Sequence, residues 1–142
     1  MQHVASLHRQ GYAMPITSKL REHSRVLYSV ATDPLNALIL NQFIPEQSSF
    51  YDRSPGKLHL IVNVSRVSDV PSGIIRTRRD GPIFQHPKRG LLIIVGANIQ
   101  VRSAAEVFAR LAHLDTIRFF DSEPEAWAYV REAIAEETRV QV

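Results

Sequence analysis

The chain has 142 residues, of which 44% are hydrophobic and 22% charged, with 17 Lys and Arg against 14 Asp and Glu for a formal charge of +3. These values describe one ordinary globular domain with a single core, and they argue against wholesale disorder. Cysteine is absent, which excludes disulfides, thiolate metal sites, iron–sulfur clusters and cysteine nucleophiles, and no apolar run approaches the ~20 residues of a membrane span.

Residues 1–14 show no hydrophobic period, and Val4, Ala5 and Leu7 are sparse apolar residues without a stripe. This stretch reads as a flexible N-terminal extension, with Met14 as an alternative start, and 15–142 as the folded domain. His3, His8, Arg9 and Gln10 interrupt the apolar core a secretory signal needs, so the expected location is the cytoplasm. Ile16 to Glu22 and Arg25 to Val30 are β-prone runs separated by His23-Ser24, a hairpin pattern. Asp33-Pro34 is a helix-start signal, a capping carboxylate followed by proline. Leu35, Leu38, Ile39 and Phe43 then share a face until Pro45 ends the helix. A further turn covers 46–51, and Ser54-Pro55-Gly56 is a loop.

Leu58 to Val64 is nearly all apolar, the pattern of a strand covered on both faces. A crossover loop, Ser65 to Gly73, leads into a helix running from Pro71 or Ser72 to Asp80. Gly81-Pro82 interrupts it, and His86 to Gly90 is a turn with His86 exposed. Leu91 to Val95 is a second buried strand. Gly96-Ala97-Asn98 follows, then a helix with Val101, Ala104, Ala105, Phe108, Leu111 and Ala112 at helical spacing. Ile117 to Phe120 is a short last strand. Ser122-Glu123-Pro124-Glu125 fits a capping box before a helix whose stripe is Ala126, Trp127, Val130 and Ile134. Two strands followed by alternating helices and strands predict an α/β domain. Its sheet is mixed and mostly parallel, of about five strands, with helices covering both faces.

That order resembles the sulfate transporter and anti-sigma-factor antagonist (STAS) family and its SpoIIAA-like relatives, over Ile16 to Ile134. Three local features carry the resemblance. The strand Leu58 to Val64 leads into Val67-Ser68-Asp69-Val70-Pro71-Ser72-Gly73 and a helix. The strand Leu91 to Val95 leads into Gly96-Ala97-Asn98. Ile117 to Ser122 leads into an acidic last helix. Antagonists of the family open their second helix with Asp-Ser-Ser-Gly, and a partner kinase phosphorylates the first serine. Setting Ser72-Gly73 on the family's Ser-Gly puts Pro71 at the phosphoacceptor and Val70 at the aspartate. The resemblance therefore implies a family member without the phosphoswitch, and Ser72 reads as a helix cap.

Charge is uneven along the chain. Arg66, Arg76, Arg78, Arg79, Lys88 and Arg89 cluster, and Asp121 to Glu137 is acidic. Aromatic residues do not interleave with the basic cluster before Phe84, which argues against nucleic acid as a partner. The six histidines lack zinc spacing, and His59 reads as a hydrogen-bonded structural residue in a buried strand. No Gly-x-Ser-x-Gly elbow is present. Asp121, Glu123 and Glu125 suit a helix N-terminus. Trp127 reads as core rather than as part of a ligand-stacking set with Tyr12 and Tyr129, with Tyr129 off the stripe.

The expectation is a non-enzymatic regulatory or protein-interaction domain without cofactor or metal, with a protein as partner and a homodimer as an option. Its interaction surface would comprise Ser68, Asp69, Ser72, Gly73, Arg76, Arg78 and Arg79. Gly96, Ala97 and Asn98 form a possible anion- or ligand-binding turn, since a helix N-terminus offers free amides. The alternative is a small-molecule or lipid-binding SpoIIAA-like module, with a pocket between the first helix and the sheet.

Overall fold

A computed structural model describes residues 16–36, 47–70, 86–111 and 113–141. The proposed extension 1–14, most of the first helix (Leu38, Ile39 and Phe43 included) and the second helix with Ser72, Gly73, Arg76, Arg78 and Arg79 lie outside these residues. So do Tyr12 and Ala112.

The opening hairpin forms from β1 (Ile16–Arg21) and β2 (Val26–Thr32), paired antiparallel with Leu20 opposite Leu27. The turn between them carries positive φ at Glu22, His23 and Ser24 and closes through the Arg25 amide on the Arg21 and Glu22 carbonyls. Next come β3 (Leu58–Arg66), β4 (Arg89–Val95) and β5 (Ile117–Phe120). The five strands lie in the order β1-β2-β3-β4-β5, and every pairing after the first is parallel. The expected mixed, mostly parallel sheet is thus present. Period-two alternation of apolar side chains in β2 and unbroken apolar runs in β3 and β4 account for it.

Three helical segments cover the sheet: α1 at residues 47–53, α2 (Ile99–Leu111) and α3 (Glu123–Gln141). On one face α3 sets Ala126, Trp127 and Val130 against Val26, Ile61, Ile93 and Val95, with Ile134 packed beside them. Trp127 is 9% exposed, so it is the core residue its stripe predicted. On the other face Tyr51 of α1 meets Leu27, Leu58 and Leu60, and Val101 of α2 meets Ala31, Val64, Val67 and Ile94. Helices cover both faces, as the element order requires.

Three local expectations need correction. Asp33 does not open a helix: residues 34–36 are not helical, and its carboxylate bonds to Ser68 instead. In α2, Ala109 is buried and Leu111 is exposed, because Ile99, Val107 and Leu111 spread apolar residues around the helix and blur its stripe. His86 is not exposed. Its Nε2 lies 2.7 Å from Asp52 Oδ1, its Nδ1 accepts the Lys88 amide, and its ring packs on Tyr51. Lys88 adds bonds to the Asp52 and Ser54 carbonyls, so this turn is fastened to α1 and the loop after it.

Candidate interaction surface

The loops after β3 and β4 meet at the C-terminal end of the parallel strands, where open α/β sheets place their functional loops. Past β3, Val67 turns inward and is buried while Ser68 and Asp69 stay exposed. The Ser68 amide donates to both Asp33 carboxylate oxygens, at 3.0 and 3.1 Å, and its hydroxyl donates to Oδ2. The hydroxyl bond first, and then the amide bonds, hold the Asp33 carboxyl below its ordinary value. Asp69 Oδ1 accepts the amide of Val70.

Past β4, Gly96 has φ of +76° and donates its amide to the Phe120 carbonyl. A Cβ there would stand 2.8 Å from Cβ of Ser65, so the loop after β4 meets the end of β3 at a point that admits no side chain. Asn98 caps α2 by accepting the Val101 amide at 2.8 Å. Its Nδ2 donates to the Ser68 carbonyl at 3.1 Å, tying the loops together. Ser68, Asp69, Gly96, Ala97 and Asn98 are therefore brought to one surface.

Under this surface lies a polar network that sequence reasoning missed. Glu123, on the first turn of α3, accepts hydrogen bonds from the Tyr28 hydroxyl and from Asn63 Nδ2, the latter at 2.6 Å. Asn63 Oδ1 in turn accepts the amide and hydroxyl of Ser65. Burial alone would raise the Glu123 carboxyl. The bonds from Tyr28, Asn63 and Trp127, with Arg21 nearby, outweigh it and hold the carboxyl below its ordinary value of 4.5. Burial, reinforced by the carboxylate, pushes Tyr28 up to about 12. Nothing in the linear spacing of Tyr28, Asn63 and Glu123 announces the cluster; the only signal is a polar Asn63 inside an apolar strand. The capping box also differs from expectation, because Ser122 Oγ donates to Glu125 Oε1 at 2.9 Å, side chain to side chain.

The opposite end of the sheet holds His59. This residue is 3% exposed. Its Nδ1 accepts the Leu91 amide at 2.9 Å, so the ring proton sits on Nε2 and is donated to Glu137 Oε2 at 2.8 Å. Arg25 Nη2 donates to the other Glu137 oxygen at 2.9 Å. Burial holds His59 below its ordinary value of 6.5, against the raising pull of the Glu137 carboxylate. The histidines among the described residues (His23, His59, His86 and His113) lie at this end of the sheet, away from Ser68. No group of three or more His, Asp or Glu side chains among the described residues is placed to hold a metal. No helix among them is long and apolar enough to cross a membrane.

No family model and no curated protein sequence matches the chain. In three dimensions it is similar to the anti-sigma factor antagonist SpoIIAA in its unphosphorylated form, with a TM-score of 0.56 at 17% identity over 82% of this chain and 96% of that one. The chain has the SpoIIAA fold.

Proposed function

We propose that the domain is a non-catalytic regulatory module acting in the cytoplasm, which binds a protein partner through the joined loops after β3 and β4. The observation that carries this reading is the Asn98 bridge, which fuses the two loops into one polar surface on a SpoIIAA-like fold. The basic residues Arg76, Arg78 and Arg79 follow directly in sequence, and they suit an acidic partner.

The module works without a phosphoserine switch. Pro71 has no hydroxyl, and the Ser68 hydroxyl is already given to Asp33. A phosphate on Ser68 would bring nearly two negative charges against that carboxylate. Cross-linking mass spectrometry and phosphopeptide mapping in the native host test both parts. Expected are partner cross-links within 65–79 and 96–98 that fall in Asn98→Ala, and unmodified Ser68 and Ser72. Stoichiometric phosphate on either serine, or cross-links confined to the other end of the sheet, would overturn the reading.

A further inference from the structure

Among the described residues the sheet ends at β1 on one side and at β5 on the other. A strand at the end of a sheet presents a row of unpaired backbone groups, onto which a second chain can add. β5 has the composition for such pairing, since Ile117, Phe119 and Phe120 are strong strand formers. A groove of about 710 Å³ between β5 and α2, lined in part by Val107, Ile117 and Phe119, adds apolar surface beside it. The Leu92 and Gly96 amides bond to the Thr116 and Phe120 carbonyls. By alternation, the backbone groups of Ile117 and Phe119 therefore point away from β4, to the open side.

Arg118 stands across that open side. The residue is exposed, yet its guanidinium makes three hydrogen bonds. Nε donates to the Tyr129 hydroxyl at 3.2 Å, and Nη1 donates to the carbonyls of Ile117 at 2.8 Å and Asp115 at 3.1 Å. The Ile117 carbonyl is one of the groups an added strand would need. Tyr129 is itself seated, its ring centroid 5.3 Å from that of Phe120. A planar guanidinium can hold the hydroxyl and both carbonyls at once, whereas a lysine ammonium is a single point charge on a flexible stem. On the α2 face of the sheet, Arg102 lies over the Phe119 ring, 4.6 Å from its centroid. Each face of the β5 edge thus carries a cation.

We propose that Arg118, anchored by Tyr129, is an edge guard that keeps two copies of this chain from joining their β5 strands into one continuous sheet. A second copy is the partner to be excluded, because edge pairing about a two-fold axis is self-complementary and needs only surface the chain already has. Such pairing requires the Ile117 carbonyl, which the guanidinium occupies. In the antiparallel register that sets Ile117 opposite Phe119 of the second copy, Arg118 also falls opposite Arg118, and like charges directly opposite are destabilising. The inference does not rest on the protein-binding surface, which lies at the strand ends rather than along this edge.

Sedimentation equilibrium of the full chain and its variants, with amide exchange measured on each, tests it. Arg118→Ala should self-associate about tenfold or more tightly than wild type, the scale of the carbonyl bonds and like-charge contact it removes. In the associated form the amides of Ile117 and Phe119 should exchange more slowly. Tyr129→Phe removes only the hydroxyl that anchors the guanidinium, and its self-association should fall between wild type and Arg118→Ala. Circular dichroism should be the same for all three, since Arg118 is exposed and the Tyr129 ring is kept. Self-association of both variants at the wild-type level, an Arg118→Ala dimer in which those two amides stay unprotected, or a wild-type chain that already dimerises through β5 would each overturn it.

Discussion

Two glutamates of α3 reach back to the sheet, one at each end of the helix, and they are satisfied in contrasting ways. Glu123 takes its hydrogen bonds from neutral donors, a hydroxyl, a carboxamide and an indole, beside the buried stripe of Ala126, Trp127 and Val130. Glu137 takes its bonds from a guanidinium and a neutral imidazole, beyond the last fully buried residue of the helix, Val130. The first end is held by packing with polar bonds inside it. The second is held mainly by charge and by one buried histidine. A single helix is thus anchored by two mechanisms with separate sensitivities.

Breaking the packed end should have the largest effect. Trp127→Ala removes a nearly buried ring that contacts Tyr28 and is flanked by Arg21 and Arg131. Denaturant unfolding should show a loss of about 3–5 kcal/mol. A loss under about 1 kcal/mol would erase the contrast between the two ends.

The charged end should fail by geometry. Gly90→Ala drives a methyl group into the His59 ring and disturbs the bond from the Leu91 amide. The expected cost is about 1–3 kcal/mol, as for overpacking elsewhere. It should be accompanied by faster amide exchange in the last turns of α3 but not in its first.

Glu123→Gln replaces an acceptor of several donors with a group that brings donors of its own. About 1–2 kcal/mol should be lost by equilibrium unfolding, the cost of leaving buried donors unpaired.

Acid should separate the ends in order. The folded value of His59 is depressed, so its contribution is complete above its ordinary 6.5 and is lost as pH falls through the lower folded value. Glu123 is depressed too, but its contribution is complete above 4.5 and is lost only below that. Stability measured from pH 7 to 5 should therefore decline with a slope no steeper than about 1.4 kcal/mol per pH unit for one proton. His59→Gln should flatten that segment and leave the steeper fall below pH 4.5. An unchanged profile would contradict the neutral-histidine anchor.

The parts of this architecture that were legible in the sequence are those decided by local pattern. Apolar runs located β3 and β4, alternation located β2, and the stripe after Ser122 located the buried side of α3. The SpoIIAA-like order of elements followed from them. What was not legible depends on which residues the sheet brings together. Glu123 looked complete as a helix-dipole residue, and nothing nearby in sequence pointed to Tyr28 or Asn63. Arg25 and Glu137 are far apart in sequence and meet because the start of β2 and the end of α3 lie at the same end of the sheet. Asp33 had a sufficient local role as a helix cap, and a tertiary partner, Ser68, took it instead. The proline after His86 points to an exposed turn, whereas α1 supplies the ring with Asp52.

The hairpin turn has a consequence of its own. Glu22, His23 and Ser24 have φ of 54°, 55° and 64°, a left-handed stretch built without a single glycine. Such backbone costs an L-residue roughly 1–2 kcal/mol. The tolerated excess marks unused headroom for improvement, and Ser24→Gly should raise stability by about 0.5–1 kcal/mol once the greater freedom of glycine in the unfolded chain is deducted. Glu22 is a poorer place to collect it, because its carboxylate holds Arg131. A turn that places Arg25 for Glu137 is thus also one where thermal tolerance can be raised by removing a side chain.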